Sequence, residues 1–382
     1  PWADVLAAQA ARYGVALKPW LLKAKQAGDS HDRWQALVAE LVTKIGHQRT
    51  GLGPGSPSTA VRNGKGDRAS LLVHLARSAG VRACLVRIRP WSREPAYGAP
   101  DPADFRLSAV QLWLRKGQAL KPVWIDPGVD GSLFDYLRAG LRRRSAVRVG
   151  CDPALPVQLT TPNLGAAADR RDVSISLVWH ADGSVDAEVQ DTLRGALATI
   201  VRNVLRGGHA GPRKSVLRQL SSATFPAMKA TWVGGTRLQN SDPHTPLVLR
   251  YRVHGDAAAH RQTRLLLGLT PYRLGRRYGT LARRRMTLRF GHQLNVHVTL
   301  QVRSVGRALL KPVANQATHR LAQLSQEVTL KHGRLHISHT LQATMGLVQP
   351  GDYRAFAQVV RTADRAEKLV LRRSPVLNAT PK

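Results

Sequence analysis

The chain has 382 residues, enough for two or three domains that each bury a core, and its 58 Lys and Arg against 24 Asp and Glu give a formal charge of +34. An apolar fraction of 43% with 32 Gly and 22 Pro excludes a disordered basic tail and a collagen-like repeat. Arg or Lys interrupts each apolar stretch before the ~18 residues a membrane-spanning helix needs, and two Cys are too few for a disulfide framework or a four-thiolate metal site. Pro1 is not an initiator, so the reading expects an upstream segment.

In chain order, 4–13 and 31–45 read as amphipathic helices, the second with Trp34, Leu37, Val38, Leu41 and Val42 on one face. The stretch 51–59 (GLGPGSPST) is turn chemistry and reads as a loop; no strand precedes it, so it is not a phosphate loop. A helix is expected over 67–78, with Asp67 capping it or in its first turn and Gly80 ending it. Strands follow at 81–88, 107–114, 122–125 and 144–149, the third closing on Asp126-Pro127-Gly128. The Pro-, Thr- and Ala-rich stretch 153–172 places a boundary, giving domains 1–152 and 153–382.

Beyond it, 173–179 and 185–189 alternate about Ala181-Asp182-Gly183 as a hairpin. Helices are expected at 193–205, 212–222 and 352–362, with strands at 227–233, 247–253, 263–269, 286–289, 295–302, 327–330 and 334–344. No internal repeat is visible. The fold class is α+β, the second domain being strand-rich with two or three helices.

The charge is uneven. Residues 1–200 carry 27 basic and 18 acidic side chains, whereas 201–382 carry 31 and 6. The densest groups are Arg142-Arg143-Arg144, Arg276-Arg277 and Arg283-Arg284-Arg285. Such a surface attracts polyanions in a salt-dependent way. Aromatic residues for base stacking make up only 5%, and no nucleic-acid-binding signature is present, so an anionic envelope polymer or lipid headgroups are preferred to nucleic acid. The 45 Arg against 13 Lys also fit an Arg-rich background composition.

No metal site is expected. His332, His336 and His339 do not share one strand face and read as solvent-facing, with His292 and His297 nearby in sequence. Cys84 sits in an apolar strand and reads as an inert core thiol, Cys151 as an ordinary thiol at a strand end. No Gly-x-Ser-x-Gly elbow is present.

One pattern is more specific. Asn63-Gly64-Lys65-Gly66-Asp67-Arg68-Ala69-Ser70-Leu71-Leu72 is followed by Ser78-Ala79-Gly80-Val81, a strand to Pro90, a strand over 105–113 and then Trp124-Ile125-Asp126-Pro127. This order resembles the transglutaminase-like domains of papain-type fold in bacterial envelope proteins that also carry an upstream β-rich domain. The hairpin about Gly183, the helix near Arg194 and Pro350-Gly351-Asp352-Tyr353 resemble the C-terminal region of the same proteins.

The resemblance implies a papain-like first domain, a place in the periplasm or cell envelope, and a Cys–His–Asp triad. The Cys position falls on Lys65, the His position on Leu107 (or Ser108), and Asp126 alone matches. Lys at a helix start supplies no thiolate, and Leu or Ser no general base. The expectation is a non-catalytic scaffold or binding module without cofactor. Asp67, Trp124, Arg142–Arg144 and Arg283–Arg285 are its candidate binding residues, and an anionic envelope polymer or another envelope protein its partner. The alternatives are an active thiol enzyme using Cys84 or Cys151 and a polyanion-binding protein defined by its charge.

Overall fold

The computed structural model describes residues 16–48, 57–93, 101–128, 134–206, 210–236, 245–256, 264–304 and 313–372. The expected helix 4–13, positions 51–56 of the expected loop and the 207–208 end of the helix expected from 193 lie outside them. The protein is a strand-rich mixture of α and β that divides into two compact units. The first comprises Pro1–Ala168, Gly195–Asn203 and Gln239–Thr245, the second Asp169–Arg194, Val204–Leu238 and Pro246–Lys382.

The first unit begins with α1 (Lys18–Ala27), which opens at a proline and buries Trp20, Ala24 and Ala27, and α2 (His31–Lys44), whose Trp34, Leu37, Val38, Leu41 and Val42 are buried as the periodicity requires. β1 (Gly46–His47) follows, then α3 (Pro57–Arg62) where the turn-rich composition suggested a loop. Pro57 at the first position needs no N–H partner there and arrives with a helical φ. β2 (Lys65–Gly66) pairs in parallel with β1, and α4 (Arg68–Ser78) begins directly after it. Gly66 is required: a Cβ there would lie 2.5 Å from that of Ala60.

A five-stranded antiparallel sheet completes the unit, made of β3 (Ala83–Ile88), β4 (Leu107–Lys116), β5 (Ala119–Ile125), β6 (Ser145–Val149) and β7 (Gln158–Thr160) in the order β5-β4-β3-β6-β7. Because β7 pairs with β6, residues 158–160 belong to this sheet although the composition break at 153 precedes them. The sheet is buried on both faces. Leu85, Leu112 and Ile125 share a core with α1, α2 and α4, while Cys84, Val86 and Trp124 share another with Leu137, Leu141 and Leu159.

The second unit opens with the expected hairpin, β8 (Arg171–Trp179) and β9 (Val185–Leu193). After α5 (Gly195–Arg206), most of which belongs to the first unit, α6 (Ala210–Ser221) precedes β10 (Lys229–Thr236), β11 (Leu247–Gly255) and β12 (Arg264–Gly268). Next come α7 (Leu274–Tyr278), β13 (Leu288–Phe290), β14 (Leu294–Ser304), β15 (Val313–His319), β16 (Ala322–Lys331), β17 (Arg334–Ala343) and β18 (Gly346–Val348). The described chain closes with α8 (Tyr353–Ala366) and β19 (Lys368–Arg372).

Eight strands form one sheet in the order β10-β11-β9-β8-β14-β17-β16-β15, antiparallel except where β14 meets β8. One face carries the core: Val173, Ile175, Val298 and Ile337 pack with Leu217 of α6, Leu265 of β12 and Leu371 of β19. Farther along, Leu324 and Leu341 pack with Phe356 and Val360 of α8. The polar edge strand β15 (VANQATH) carries little apolar alternation, so only its pairing with β16 identifies it.

Candidate functional site

Lys65 lies on β2 with its side chain exposed, two residues ahead of the helix cap. Asp67 is the N-cap of α4: Oδ1 accepts from the N–H groups of Ala69 at 2.9 Å and Ser70 at 3.3 Å, and Oδ2 accepts from Ser70 Oγ at 2.8 Å. The helix start therefore carries a buried capping carboxylate that occupies the freed N–H donors itself.

Asp126 follows the last residue of β5 and is fully buried. Its Oδ1 accepts from Gly128 N–H at 3.1 Å, and Arg138 Nε lies 3.2 Å from Oδ2. Burial pushes its carboxyl above the usual range, against the opposing charge of Arg138 and the Gly128 hydrogen bond. Arg138 also donates to the Gly128 carbonyl at 3.1 Å, closing the turn from the far side.

A second arginine joins the turn to the helix. The buried Arg68, first residue of α4, donates to the carbonyls of Val42 and Ile45 at the end of α2 and of Pro127 at 3.3 Å. It satisfies orphan helix-end acceptors and holds the Asp126 turn against the start of α4. Neither Arg68 nor Arg138 carries a sequence signal for this role: both are single arginines in a chain with 45 of them.

Leu107 is not brought to Asp126. It pairs with Ile88 on β3, whereas the β4–β5 ladder pairs Val110 with Ile125. Three residues of strand separate Leu107 from Val110, about 10 Å. One ladder step beyond Val110 and Ile125, the β4 residue is Ala109, and Ser108 instead accepts from Arg87 at 2.8 Å. Leu107, Ser108, Ala109 and Val110 contain no ionisable group.

Two expectations are corrected here. Cys84 and Cys151 are not free thiols: they form a disulfide across 67 residues, with Cα atoms 5.2 Å apart. The strand–loop path that returns from β6 brings Cys151 over the face of β3 that carries Cys84, a juxtaposition their spacing does not reveal. Trp124 is buried on this same face, in the core that includes Cys84, so it packs rather than presenting a binding surface.

The arginine run 142–144 is likewise not a surface patch. Arg142 and Arg144 are buried, the first 5.1 Å from the Tyr136 ring centroid and the second 4.3 Å from that of Trp91. Arg142 Nε donates to the Leu137 carbonyl, and the Arg144 N–H to Thr161 Oγ1 at 2.8 Å. Arg143, in the turn between them with a left-handed φ of 52°, is exposed. In the second unit Arg283 and Arg285 are exposed, while Arg284 is half-buried against Tyr353.

The histidines also divide. His332 is exposed in the turn between β16 and β17 and His336 is half-buried, but His339 is completely buried on the core face, which corrects its solvent-facing reading. Burial, then His297, lower its pKa to about 4. Among the described residues no group of three His, Cys, Asp or Glu side chains is arranged to hold a metal ion, and no helix is long and apolar enough to cross a membrane.

No protein-family model matches the chain, and no curated protein sequence matches it. Among solved structures, the chain is similar to one described as "a putative protease from Parabacteroides distasonis", with a TM-score of 0.51 and 9% identity. The match covers 97% of this chain and 58% of that one, so this chain spans little more than half of that protein's length. At this identity the similarity is one of fold: a strand-rich α/β architecture shared with a protease-like protein.

Proposed function

We propose that the protein is a non-catalytic, transglutaminase-like binding or scaffold module of the cell envelope. The observation that carries this reading is the partner of Asp126. In a Cys–His–Asp arrangement the carboxylate orients an imidazole. Here Arg138 stands beside Asp126, the neighbouring β4 positions hold Ser108, Ala109 and Val110, and the nucleophile position holds the exposed Lys65. An arginine stays protonated and accepts no proton from a nucleophile. Both cysteines are consumed in a disulfide, which weighs against the thiol-enzyme alternative.

The same disulfide supports an oxidising compartment, since structural disulfides persist outside the reducing cytosol. The similarity to a protease-like structure supports descent from a hydrolase or transferase scaffold at the level of fold. The test is incubation of the native protein with a fluorescent primary amine and a glutamine-rich acceptor protein, and separately with a fluorogenic peptide, with and without dithiothreitol. No incorporation and no cleavage are expected. Turnover that survives dithiothreitol and is abolished in Asp126→Asn would overturn the reading.

A further inference from the structure

From residue 257 to residue 326 the chain has 13 Arg and Lys and no Asp or Glu. Seven of these arginines fall between Arg273 and Arg289, where α7 leads through residues 279–287 into β13. All but the half-buried Arg284 are exposed. The connecting loop is pinned at both ends. Arg361 of α8 donates to the carbonyl of Gly279 and, at 2.7 Å, to that of Leu281, whose own N–H donates to Tyr353 Oη at 3.2 Å. At the far end Thr287 Oγ1 donates to Gln349 Oε1 at 3.0 Å. Between the anchors Arg284 lies over the Tyr353 ring, and Arg283 and Arg285 have no hydrogen-bond or ion-pair partner among the described residues.

Helix α8 and its two flanking residues carry three carboxylates, each already engaged. Asp352 is 3.4 Å from Arg320, Asp364 accepts from the backbone N–H groups of Gly275 and Arg276 at 2.8 and 2.7 Å, and the buried Glu367 accepts from Thr270 Oγ1. Seven arginines in the segment leave a clear excess of positive charge. Two apolar side chains stand among them. Met286 is 78% exposed, more than any other large apolar side chain among the described residues, and Leu281 is 49% exposed. Leu281 sits at the first anchor and Met286 one residue before the second, so a fixed backbone, not slack, holds both in water at a cost.

We infer that segment 273–289 is a docking surface for an anionic lipid bilayer. Its guanidinium groups hold phosphate headgroups through paired hydrogen bonds, while Leu281 and Met286 enter the boundary between headgroups and acyl chains. The apolar pair selects this occupant: a soluble polyanion would use the charge and leave both side chains in water. Rings for base stacking are taken, Tyr278 by Phe290 and His292 and Tyr353 by burial. Two apolar side chains among arginines also lack the charge-depleted core of a protein interface. The segment lies in the second unit and involves neither Lys65 nor Asp126, so its test and that of the proposed function succeed or fail separately.

The experiment is co-sedimentation of the full chain with vesicles of phosphatidylcholine, alone or with about 30% phosphatidylglycerol, at roughly 50 mM and 500 mM salt. Binding to the anionic vesicles that weakens at high salt, and little binding to the neutral ones, is expected. Arg283→Gln/Arg285→Gln should lower the partition coefficient about thirtyfold, or about fivefold per charge. Arg303→Gln/Arg334→Gln removes the same charge at the end of β14 and β17 away from Ala343, which packs with α8, and should lower it less than about threefold. Leu281→Ser/Met286→Ser leaves the charge unchanged and should lower it about tenfold. If its melting curve shows misfolding, Met286→Ser alone is read and should lower it at least about threefold. No binding to anionic vesicles, equal binding to neutral ones, equal losses in the two arginine pairs, or undiminished binding by either folded loop variant would each overturn the inference. Undiminished binding by the apolar variant alone would leave a soluble polyanion as the occupant.

Discussion

Asp126 in the first unit and Asp191 in the second are both fully buried, and each has one arginine beside it, yet they are held differently. Asp191 lies on β9 diagonal to Arg171 on β8, and the guanidinium grips both oxygens, with Nη2 at 2.7 Å and Nε at 3.1 and 3.2 Å. Burial alone would weaken the guanidinium's hold on its proton, but the Asp191 charge and hydrogen bonds more than offset it and raise the Arg171 pKa. Asp126 accepts backbone hydrogen bonds from Gly128 and Arg138 and has the side-on, partly solvated Arg138 guanidinium beside it, and burial raises its pKa despite them. A bidentate pair built into adjacent strands is a structural element. A buried carboxylate held by backbone donors and a side-on guanidinium depends less on its arginine.

The largest effect of breaking either carboxylate–arginine contact is expected at the bidentate pair. Arg171→Met leaves Asp191 buried without its cation and should cost about 3–5 kcal/mol, read from urea denaturation. Restoring apolar balance with Arg171→Met/Asp191→Leu should recover most of it. A loss below about 1 kcal/mol in the single variant would remove the distinction drawn here.

The first unit relies instead on a covalent link. Cys84→Ala/Cys151→Ser releases a 67-residue loop, and chain entropy sets the expected loss at about 4 kcal/mol, with the mixed thiol–disulfide state absent from the native protein by mass spectrometry. An unchanged midpoint with and without reductant would show that the staple contributes nothing.

Two further buried titrating groups sharpen the role of burial. His339, with neither ring nitrogen hydrogen-bonded among the described residues, has its pKa lowered to about 4 by burial and by His297. Its unfolded form binds a proton below its ordinary value, so its contribution is lost as pH falls from about 6.5 to about 4. Glu367 accepts from Thr270 Oγ1 and is pushed up to about 7 by burial and by Asp364, with Arg273 opposing. The folded state holds its proton more tightly, so that contribution is lost as pH rises from about 4.5 to about 7. Over the shared window the two oppose each other. His339→Gln should give stability that falls as pH rises, and Glu367→Gln stability that rises, each by on the order of 2–3 kcal/mol across the window. Parallel profiles in the two variants would refute the assignment.

The smallest effect is expected at Asp126 itself. Asp126→Asn mimics the protonated side chain that burial favours and can keep the acceptor for Gly128 N–H. It should change stability by less than about 1 kcal/mol at neutral pH and remove any loss of stability on raising pH through the carboxyl's titration. A cost near that of Arg171→Met would show that Arg138 and Asp126 form a full ion pair.

Much of the fold was legible from periodicity. The five apolar positions of α2, the β8–β9 hairpin and the cap at Asp67 follow from side-chain spacing and local hydrogen bonding, which operate within a few residues. Helix α3 and strand β15 were not legible, because a proline-led turn sequence and a polar strand acquire their conformation from neighbours distant in sequence.

For the candidate site, the sequence by itself determined which chemical groups are on hand: a lysine, a leucine and an aspartate in chain order, two cysteines, and arginines in runs. Tertiary structure decided what those groups do. It paired Cys84 with Cys151, stacked Arg142 and Arg144 on rings while leaving Arg143 in water, sank His339 into the core and set Arg138 beside Asp126. The physical reason is the same in each case. Residue type and spacing specify local conformation, but burial and partner choice depend on which segments the fold brings within a few ångströms, whether near in sequence, as Tyr136 and Arg142, or far apart, as Cys84 and Cys151.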